Sequence, residues 1–300
     1  MIKPRHIEPG DTVALVQPAG EIRSEGGFEK AVEDITALGY KVKAAKRGKY
    51  GYLAGTDKER ADEINLAFAD PEVKAVICMK GGYGSPRILD ALDYNVIRVN
   101  PKIFWGYSDI TALHIAFNQE CELITFHGPM PASCFPLDNA SLKSMLDTLS
   151  GAESGLFCNG LEVIRGGGDA SGILCGGNLT LAASSLGTKW EIDTKGKILF
   201  LEDVGEKTYR IDNMLTQLRL AGKFDDCSGV VLGDFTDCPV EYPDFGLTLD
   251  EIFADIIAPG GKPVLAGLPA GHGEVKLTLP LGAMCEISGG TFRVTERATA

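Results

Sequence analysis

Apolar runs typical of strands alternate with amphipathic segments typical of helices along residues 11–117. The pattern predicts strands over residues 11–17, 41–45, 74–79 and 103–105, and helices over residues 28–38, 56–69 and 109–117. Chains that alternate in this way fold into a mainly parallel sheet with helices on both faces. We therefore predict an α/β domain over residues 1–150.

The pattern changes after this domain. Residues 131–172 are rich in Gly, Ser, Asn and Pro, and beyond them short strand patterns outnumber helical ones. Strands are predicted over residues 197–201, 229–232, 264–266, 283–287 and 291–294, and helices over residues 180–185, 211–220 and 249–257. The prediction is a linker over residues 151–172, followed by a smaller, β-rich carboxy-terminal domain over residues 173–300.

Charge and composition limit the partners that this chain can take. Its 300 residues carry a net charge of −12, which disfavours nucleic acid and anionic membrane surfaces. No apolar stretch approaches the roughly 18 residues of a membrane span, and the amino terminus lacks a signal-peptide pattern. The eight cysteines lack the paired spacing of a zinc site, so we expect no bound metal. Because no export signal is recognised, we expect a cytoplasmic location, where the cysteines would be free thiols.

The first candidate for chemistry is Ser108, in the segment Gly106-Tyr-Ser-Asp-Ile110. This serine falls between a predicted strand and a predicted helix, where a tight turn exposes the hydroxyl near free helix N–H groups. Many α/β hydrolases mount their nucleophile in this way. The match to their motif is partial because Ile110 occupies the position of the second glycine. The alternative is a serine that only caps the following helix.

A glycine-rich loop, Gly81-Gly-Tyr-Gly84, follows the preceding predicted strand. Loops at the carboxyl ends of parallel strands gather ligands, and glycines bring backbone N–H donors close to a bound group. The loop suits either a phosphate cradle or an oxyanion hole. Arg87 stands where a dinucleotide motif requires its third glycine. A purely structural turn is the alternative.

A serine nucleophile needs a base, and the chain has only four histidines. His6 lies near the amino terminus, and His114 falls on a different helical face from Ser108, which favours a structural role. His127 follows a strand-like run and is a second candidate. His272 lies in a glycine-flanked loop of the type that carries functional side chains, and we predict that it is the base.

Two acidic residues, Glu202 and Asp203, end an apolar strand-like run. Either carboxylate is suited to orient a catalytic imidazole. The alternative is a solvated strand end without a catalytic role. The chain order of serine, acid and histidine is that of α/β hydrolases.

Several motifs together resemble those of one family. They are 52–57 (Tyr-Leu-Ala-Gly-Thr-Asp) with Arg60, 81–85 with Arg87, 101–102, 106–114, 127–130, 176–179, 201–204 with Tyr209, 271–272 and 279–282. The chain resembles the LD-carboxypeptidases, also called muramoyltetrapeptide carboxypeptidases, a serine peptidase family that includes the microcin-C immunity peptidases. The resemblance extends over nearly the whole chain. It implies an α/β domain followed by a β-rich domain.

The resemblance also implies the site and its chemistry. Ser108 would be the nucleophile, His272 the general base and Glu202 the orienting carboxylate, with oxyanion donors at the backbone of Asp109 and Gly82. Residues predicted to contact substrate are Gly81, Tyr83, Arg87 (for a carboxylate) and Trp190. The family needs no metal or other cofactor and forms homodimers.

The function that the resemblance implies is release of terminal D-alanine from murein tetrapeptide, in peptidoglycan recycling. One alternative is an immunity-type amidase that cleaves aminoacyl- or peptidyl-nucleotide toxins, with Trp190 stacking on the base. Another is a non-catalytic two-domain protein that binds a small ligand. The chain departs from the family pattern at Lys80, Asn213 and Lys189-Trp190, and the last of these bears on substrate preference.

Overall fold

The computed structural model describes residues 1–45, 48–152, 156–165, 168–240 and 246–300, with the backbone alone at residue 165. The chain divides into two compact units. The first unit comprises Met1–Glu153, Leu277–Gly282 and Arg297–Ala300, and the second comprises Ser154–Lys276 and Ala283–Glu296.

The first unit is built on a sheet to which its described residues contribute six strands. These are β1 (Thr12–Val16), β2 (Lys41–Ala44), β3 (Val73–Cys78), β4 (Ile103–Gly106), β5 (Thr125–His127) and β12 (Leu279–Leu281). Their order is β12-β5-β4-β3-β1-β2. The first five strands run parallel and β12 pairs antiparallel with β5, so the predicted parallel α/β sheet is confirmed.

Helices follow the strands of this sheet. They are α1 (Gly27–Ala37), α2 (Asp57–Ala69), α3 (Tyr94–Val99), α4 (Thr111–Cys121), α5 (Pro131–Cys134) and α6 (Asn139–Leu149). Thr56 and Glu59 form a capping box at the start of α2. A 3-10 helix, Ser85–Ala91, follows the glycine loop, and a second 3-10 turn, Ser108–Ile110, precedes α4.

The second unit is also built on a mixed sheet. Its strands among the described residues are β6 (Phe157–Cys158), β7 (Glu162–Arg165), β8 (Ala170–Asn178), β9 (Ile198–Val204), β10 (Gly229–Thr236), β11 (Val264–Ala266), β13 (Met284–Ser288) and β14 (Thr291–Val294), in the order β6-β14-β13-β8-β9-β10-β11-β7. The four central strands, β8 to β11, are parallel. The helices are α7 (Leu179–Ser184), α8 (Thr208–Leu220), α9 (Lys223–Asp226) and α10 (Leu249–Ile256), with a 3-10 turn at Ala258–Gly260.

The predicted domain limits differ from these units in three places, which are residues 151–172, Leu277–Gly282 and Arg297–Ala300. Residues 151–172, predicted as a linker, contain β6, β7 and the start of β8. The two short strands lie at the sheet edges and expose Phe157 and Val163, so they lack the long apolar run by which a buried strand is recognised. Residues 279–281 were predicted to lie in the second domain and were not predicted as a strand. In the structure they form β12, which joins the first sheet through long-range pairing with β5 that no local pattern encodes.

An aromatic cluster lies behind β4 in the first unit. Phe104, Phe117 and Phe68 are fully buried, and the rings of Phe104 and Phe117 meet edge to face at 4.6 Å between centroids. This packing fixes α4 against the sheet and so fixes the turn between β4 and α4. Within the residues that the structure describes, no helix combines the length and the apolar character needed to cross a membrane.

Candidate active site

Ser108 lies in the turn between β4 and α4, as the sequence predicts. Its backbone has φ of +64°, in the left-handed region that a serine rarely adopts. Such a conformation costs about 1–3 kcal/mol and persists only where the surrounding structure imposes it. Buried residues flank the partly exposed serine on both sides. The strained turn is the conformation in which α/β hydrolases present a nucleophilic hydroxyl.

The glycine loop lies directly against this serine. A Cβ atom placed on Gly81 would lie 3.1 Å from Cβ and 3.3 Å from Oγ of Ser108. Gly82 and Gly84 have φ of +108° and +110°, which favour glycine. The structure therefore brings together the two motifs in which we predicted the nucleophile and an oxyanion donor.

In the second unit, Glu202 and His272 form a hydrogen-bonded pair. Nδ1 of His272 donates to Oε2 of Glu202 over 2.6 Å. Glu202 is fully buried near the end of β9, whereas the side chain of His272 is 15% exposed. Gly271 is required beside this pair, because a Cβ there would lie 2.7 Å from the same carboxylate oxygen. The buried carboxylate therefore orients the imidazole through Nδ1, and Nε2 is the ring nitrogen that does not bond to Glu202.

Two opposing effects act on the buried carboxyl of Glu202. Burial, the larger effect, raises its pKa, and the hydrogen bond from His272 lowers it. The hydrogen bond from His272 therefore offsets part of the free energy that burial of the Glu202 carboxylate costs.

Asp203, the other acidic candidate, has a different role. Adjacent strand residues face opposite sides of a sheet. The carboxylate of Asp203 accepts hydrogen bonds from the backbone N–H of Thr180 at 3.0 Å, from its hydroxyl at 2.8 Å and from the Asn178 amide at 2.9 Å. It thereby fixes the start of α7, and of the two predicted acids Glu202 is the one that bonds to histidine.

The other histidines are held elsewhere in the first unit. Nε2 of His114 bonds to the carbonyl of Gly106 at 2.9 Å, and burial lowers its pKa to about 4. His127 is buried in β5, where its ring lies 5.7 Å from that of Tyr107. Nδ1 of His6 bonds to the carbonyl of Ala300 at 2.8 Å. The structural role predicted for His114 agrees with this neutral, buried environment.

Three of the predicted substrate contacts lie at the surface or close to it. Arg87 donates from Nε and Nη2 to Asp57 at 3.1 and 3.0 Å, so this arginine is already in an ion pair. Tyr83 is 71% exposed and meets the ring of Tyr52 edge to face at 5.9 Å. Nζ of Lys189 lies 4.6 Å from the centroid of the Trp190 ring.

Sequence analysis did not identify Asp234, a half-buried residue of β10. Its carboxylate accepts the backbone N–H of Gly273, next to His272, at 3.1 Å, and burial raises its pKa. A Cβ on Gly273 would lie 2.5 Å from the same carboxyl group. The signal was an acidic residue after an apolar strand run, the same signal that drew attention to Glu202.

In the part of the chain that the structure describes, no three His, Cys, Asp or Glu side chains are grouped so that they could hold a metal ion.

The predicted site residues form two sets, one in each unit. Ser108, Asp109 and the glycine loop belong to the first unit, and Glu202 and His272 belong to the second.

Family models match most of the chain. Residues 13–128 match the amino-terminal domain of LD-carboxypeptidases, and residues 171–287 match the carboxy-terminal domain. A probable murein peptide carboxypeptidase of Bacillus subtilis is 40% identical, over 94% of this chain and 90% of its own length. The murein tetrapeptide carboxypeptidase of Pseudomonas aeruginosa is 33% identical, over 94% of each chain.

A solved structure shares the fold. The structure of MccF in complex with glutamyl sulfamoyl guanosine superposes with a TM-score of 0.89 at 26% identity and covers 100% of each chain. The family inferred from the motifs, and the α/β fold with a second β-rich region, are thereby confirmed.

Proposed function

The chain belongs to the LD-carboxypeptidase family, and on that premise we propose that it is a serine peptidase that releases terminal D-alanine from murein tetrapeptides. Its membership supports a peptidase, and the names of its relatives supply the substrate class. The observation that carries the catalytic proposal is the part-buried 2.6 Å hydrogen bond between Glu202 and Nδ1 of His272, because it favours the tautomer in which Nδ1 carries the proton and Nε2 is the basic nitrogen.

In the first step, Oγ of Ser108 attacks the carbonyl carbon of the bond between the L-centre of a diamino acid and D-alanine. Nε2 of His272 accepts the hydroxyl proton as the new C–O bond forms. Glu202 stabilises the imidazolium that results. The backbone N–H groups of Asp109 and Gly82 donate to the oxyanion, an interaction whose loss typically costs about 10²–10³ in rate.

Collapse of the tetrahedral intermediate breaks the C–N bond. His272 returns its proton to the departing amine, and D-alanine leaves while the remaining tripeptide stays attached to Ser108 as an ester. A water molecule, deprotonated by His272, then attacks the ester. The second collapse releases the tripeptide and restores the serine hydroxyl, so one water is consumed for each bond cleaved.

Four further residues are proposed to contact the substrate: Gly81, Tyr83, Arg87 and Trp190. Gly81 and Tyr83 belong to the loop that packs against Ser108. Arg87 is suited to the terminal carboxylate by charge, although its ion pair with Asp57 must then be shared or exchanged. The cytoplasmic location, the homodimer and the role in peptidoglycan recycling belong to the same proposal and are supported by the family resemblance.

The test is a mass-spectrometric assay of purified protein with murein tetrapeptide. We expect the mass of the peptide to fall by one alanine residue and free D-alanine to appear. Ser108→Ala should lower kcat by about 10⁶-fold, because the nucleophile is absent. Turnover by Ser108→Ala at the rate of the unmodified protein would refute the serine mechanism.

A nucleotide-conjugate amidase is the second candidate, favoured by the likeness to MccF and by the partly exposed ring of Trp190. One face of that ring carries Lys189, so a stacked base requires the other face or movement of the lysine. Trp190→Ala should then weaken cleavage of an aminoacyl nucleotide more strongly than cleavage of tetrapeptide. A higher kcat/KM for the nucleotide conjugate than for tetrapeptide would reverse the order of the two candidates.

The third alternative, a non-catalytic binding protein, is disfavoured by membership of a peptidase family. Labelling of Ser108 by a fluorophosphonate distinguishes the two, because only an activated serine reacts at an appreciable rate.

A further inference from the structure

Two hydrogen bonds join the nucleophile turn to the glycine loop. The backbone N–H of Ser85 donates to Oδ2 of Asp109 at 2.8 Å, and the hydroxyl of Ser85 donates to the backbone carbonyl of Asp109. Ser85 is completely buried and Asp109 is 4% exposed. In both bonds Ser85 is the donor, and hydrogen bonds that are shielded from water are stronger than those at the surface.

The glycine loop is held at both ends by contacts within the first unit. At its start, the carbonyl of Gly81 accepts the N–H of Gly20 at 3.0 Å. At its end, the carbonyl of Gly84 accepts a hydrogen bond of 2.8 Å from Arg60, whose guanidinium is fully buried. Ser85, the next residue, carries the double bond to Asp109. Between these points Gly82 and Tyr83 are exposed.

A loop with three glycines in four residues has much conformational freedom, and that freedom opposes catalysis. Donors stabilise an oxyanion only when they are already oriented, because reorientation during the reaction consumes the gain. The proposed donors come from different segments, one on each side of the Ser85–Asp109 contact. That contact therefore links the two segments that carry the proposed donors.

We propose that the side chain of Asp109 is a positioning residue that clamps the glycine loop to the nucleophile turn and so holds both oxyanion donors in register. The inference rests on the proposed function for its catalytic consequence. Its structural part, that Asp109 orders residues 81–85, is independent of the substrate.

The chain contains a matched control for this clamp. In the first unit, Asp138 accepts the backbone N–H of Ser141 at 3.1 Å and the hydroxyl of the same residue, at the start of α6. As in the contact of Asp109 with Ser85, an aspartate carboxylate here accepts the backbone N–H of a serine, but Asp138 is exposed and its carboxylate also accepts the serine hydroxyl. Asp138→Ala therefore removes a carboxylate that caps α6 and does not bond to Ser85.

The test compares Asp109→Ala, Asp109→Asn and Asp138→Ala. We expect Asp109→Ala to lower kcat for D-alanine release by about 10²-fold, with KM changed less than about threefold, because the oxyanion exists only beyond the ground state. Affinity for a boronic acid that forms a tetrahedral adduct with Ser108 should fall in parallel. Asp109→Asn keeps one acceptor oxygen for the N–H of Ser85 and should restore kcat to within about tenfold.

Hydrogen exchange supplies a readout that needs no substrate. In Asp109→Ala the amides of residues 82–85 should exchange faster than in the unmodified protein, while Asp138→Ala should leave them unchanged. Unchanged exchange in this segment overturns the clamp, as does a rise in KM equal to the fall in kcat. If Asp109→Ala fails to fold, the same measurements on Asp109→Asn decide the proposal, because its uncharged amide oxygen accepts the N–H of Ser85 more weakly than a carboxylate and exchange in residues 82–85 should rise to a smaller extent. If the unmodified protein releases no D-alanine, the proposed function fails, and exchange and boronate affinity still decide the clamp.

Discussion

Ser108 and His272 are positioned by different kinds of interaction. Ser108 is positioned by backbone shape, with φ of +64° and a glycine packed against its side chain. His272 is positioned by a side-chain hydrogen bond to a buried carboxylate. A nucleophile needs a fixed and accessible hydroxyl, whereas a base needs a defined tautomer and a partner for its positive charge. The first region should therefore respond most to steric changes and the second to changes of charge.

The largest effect that we expect is a loss of kcat when the negative charge beside His272 is removed. Glu202→Gln keeps the shape of the side chain but removes the negative charge and disturbs the tautomer of His272. We expect kcat to fall by about 10⁴-fold. The measurement is D-alanine release under saturating tetrapeptide. Asp203→Asn, one residue further along β9, is the control and should alter thermal stability more than kcat, because its carboxylate holds the start of α7. Equal losses of kcat in both variants would contradict the distinction between the two acids.

The second effect concerns His114, the buried counterpart of His272 in the first unit. Its pKa is lowered from 6.5 to about 4 by burial, so between these values the unfolded chain binds a proton that the folded chain does not. Stability should rise with pH across this window, and as pH falls from 6.5 to 4 the protein should lose up to about 3 kcal/mol through this group. Urea unfolding at several pH values measures the loss.

His114→Gln is the variant that isolates this contribution, because it removes the titrating group. Burial raises the pKa of both Glu202 and Asp109, so these two groups stabilise the folded protein as pH falls, which opposes the effect of His114. Both residues are unchanged in the variant, so their contribution cancels when the two proteins are compared. The free energy of unfolding of His114→Gln should depend less steeply on pH between 4 and 6.5. The same slope in both proteins would mean that His114 titrates normally.

The third effect is steric and belongs to the Ser108 region. In Gly81→Ala, the new methyl group would meet Ser108 at 3.1 Å from Cβ and 3.3 Å from Oγ, so the serine or the loop must shift by a few tenths of an ångström. A shift of this kind should lower kcat by about 10–100-fold. Gly48→Ala is the matched control, since nothing lies within 4 Å of the added carbon. The prediction is wrong if Gly81→Ala and Gly48→Ala have the same kcat.

The smallest effect is on stability. Glycine adopts φ of +64° without the penalty that a side chain brings, so Ser108→Gly should be more stable than Ser108→Ala by about 1 kcal/mol. Chemical denaturation of these two variants, both expected to be inactive, measures the strain at Ser108. Equal free energies of unfolding would show that the turn is not strained at this residue.

Much of the first unit was predictable because its strands and helices carry strong local patterns. The capping box at Thr56, the parallel strands and the turn at Ser108 all follow from residues close in sequence. The strands β6 and β7 were missed because they are short edge strands with exposed apolar residues. The place of β12 was missed because its pairing with β5 joins Leu279 to His127, which are far apart in the chain.

The candidate site divides in the same way. Motif resemblance singled out Ser108, Glu202 and His272, and it chose Glu202 over Asp203. Asp234 and the side chain of Asp109 were not singled out as supports, because their significance lies in backbone groups that they accept from distant loops, at Gly273 and at Ser85. A sequence pattern identifies which side chain carries chemistry more readily than which one fixes a loop.

By itself, the sequence determined the family, the α/β class and the residue types available for acid–base and nucleophilic chemistry, since these depend on local periodicity and on motifs. The tertiary structure decided which strands pair, which acid bonds to His272, which histidine is kept neutral in the core and which carboxylate holds the glycine loop. Those outcomes depend on burial and on hydrogen bonds between residues tens of positions apart. Both arise only when the chain has folded, because the same groups are solvated separately in the unfolded state.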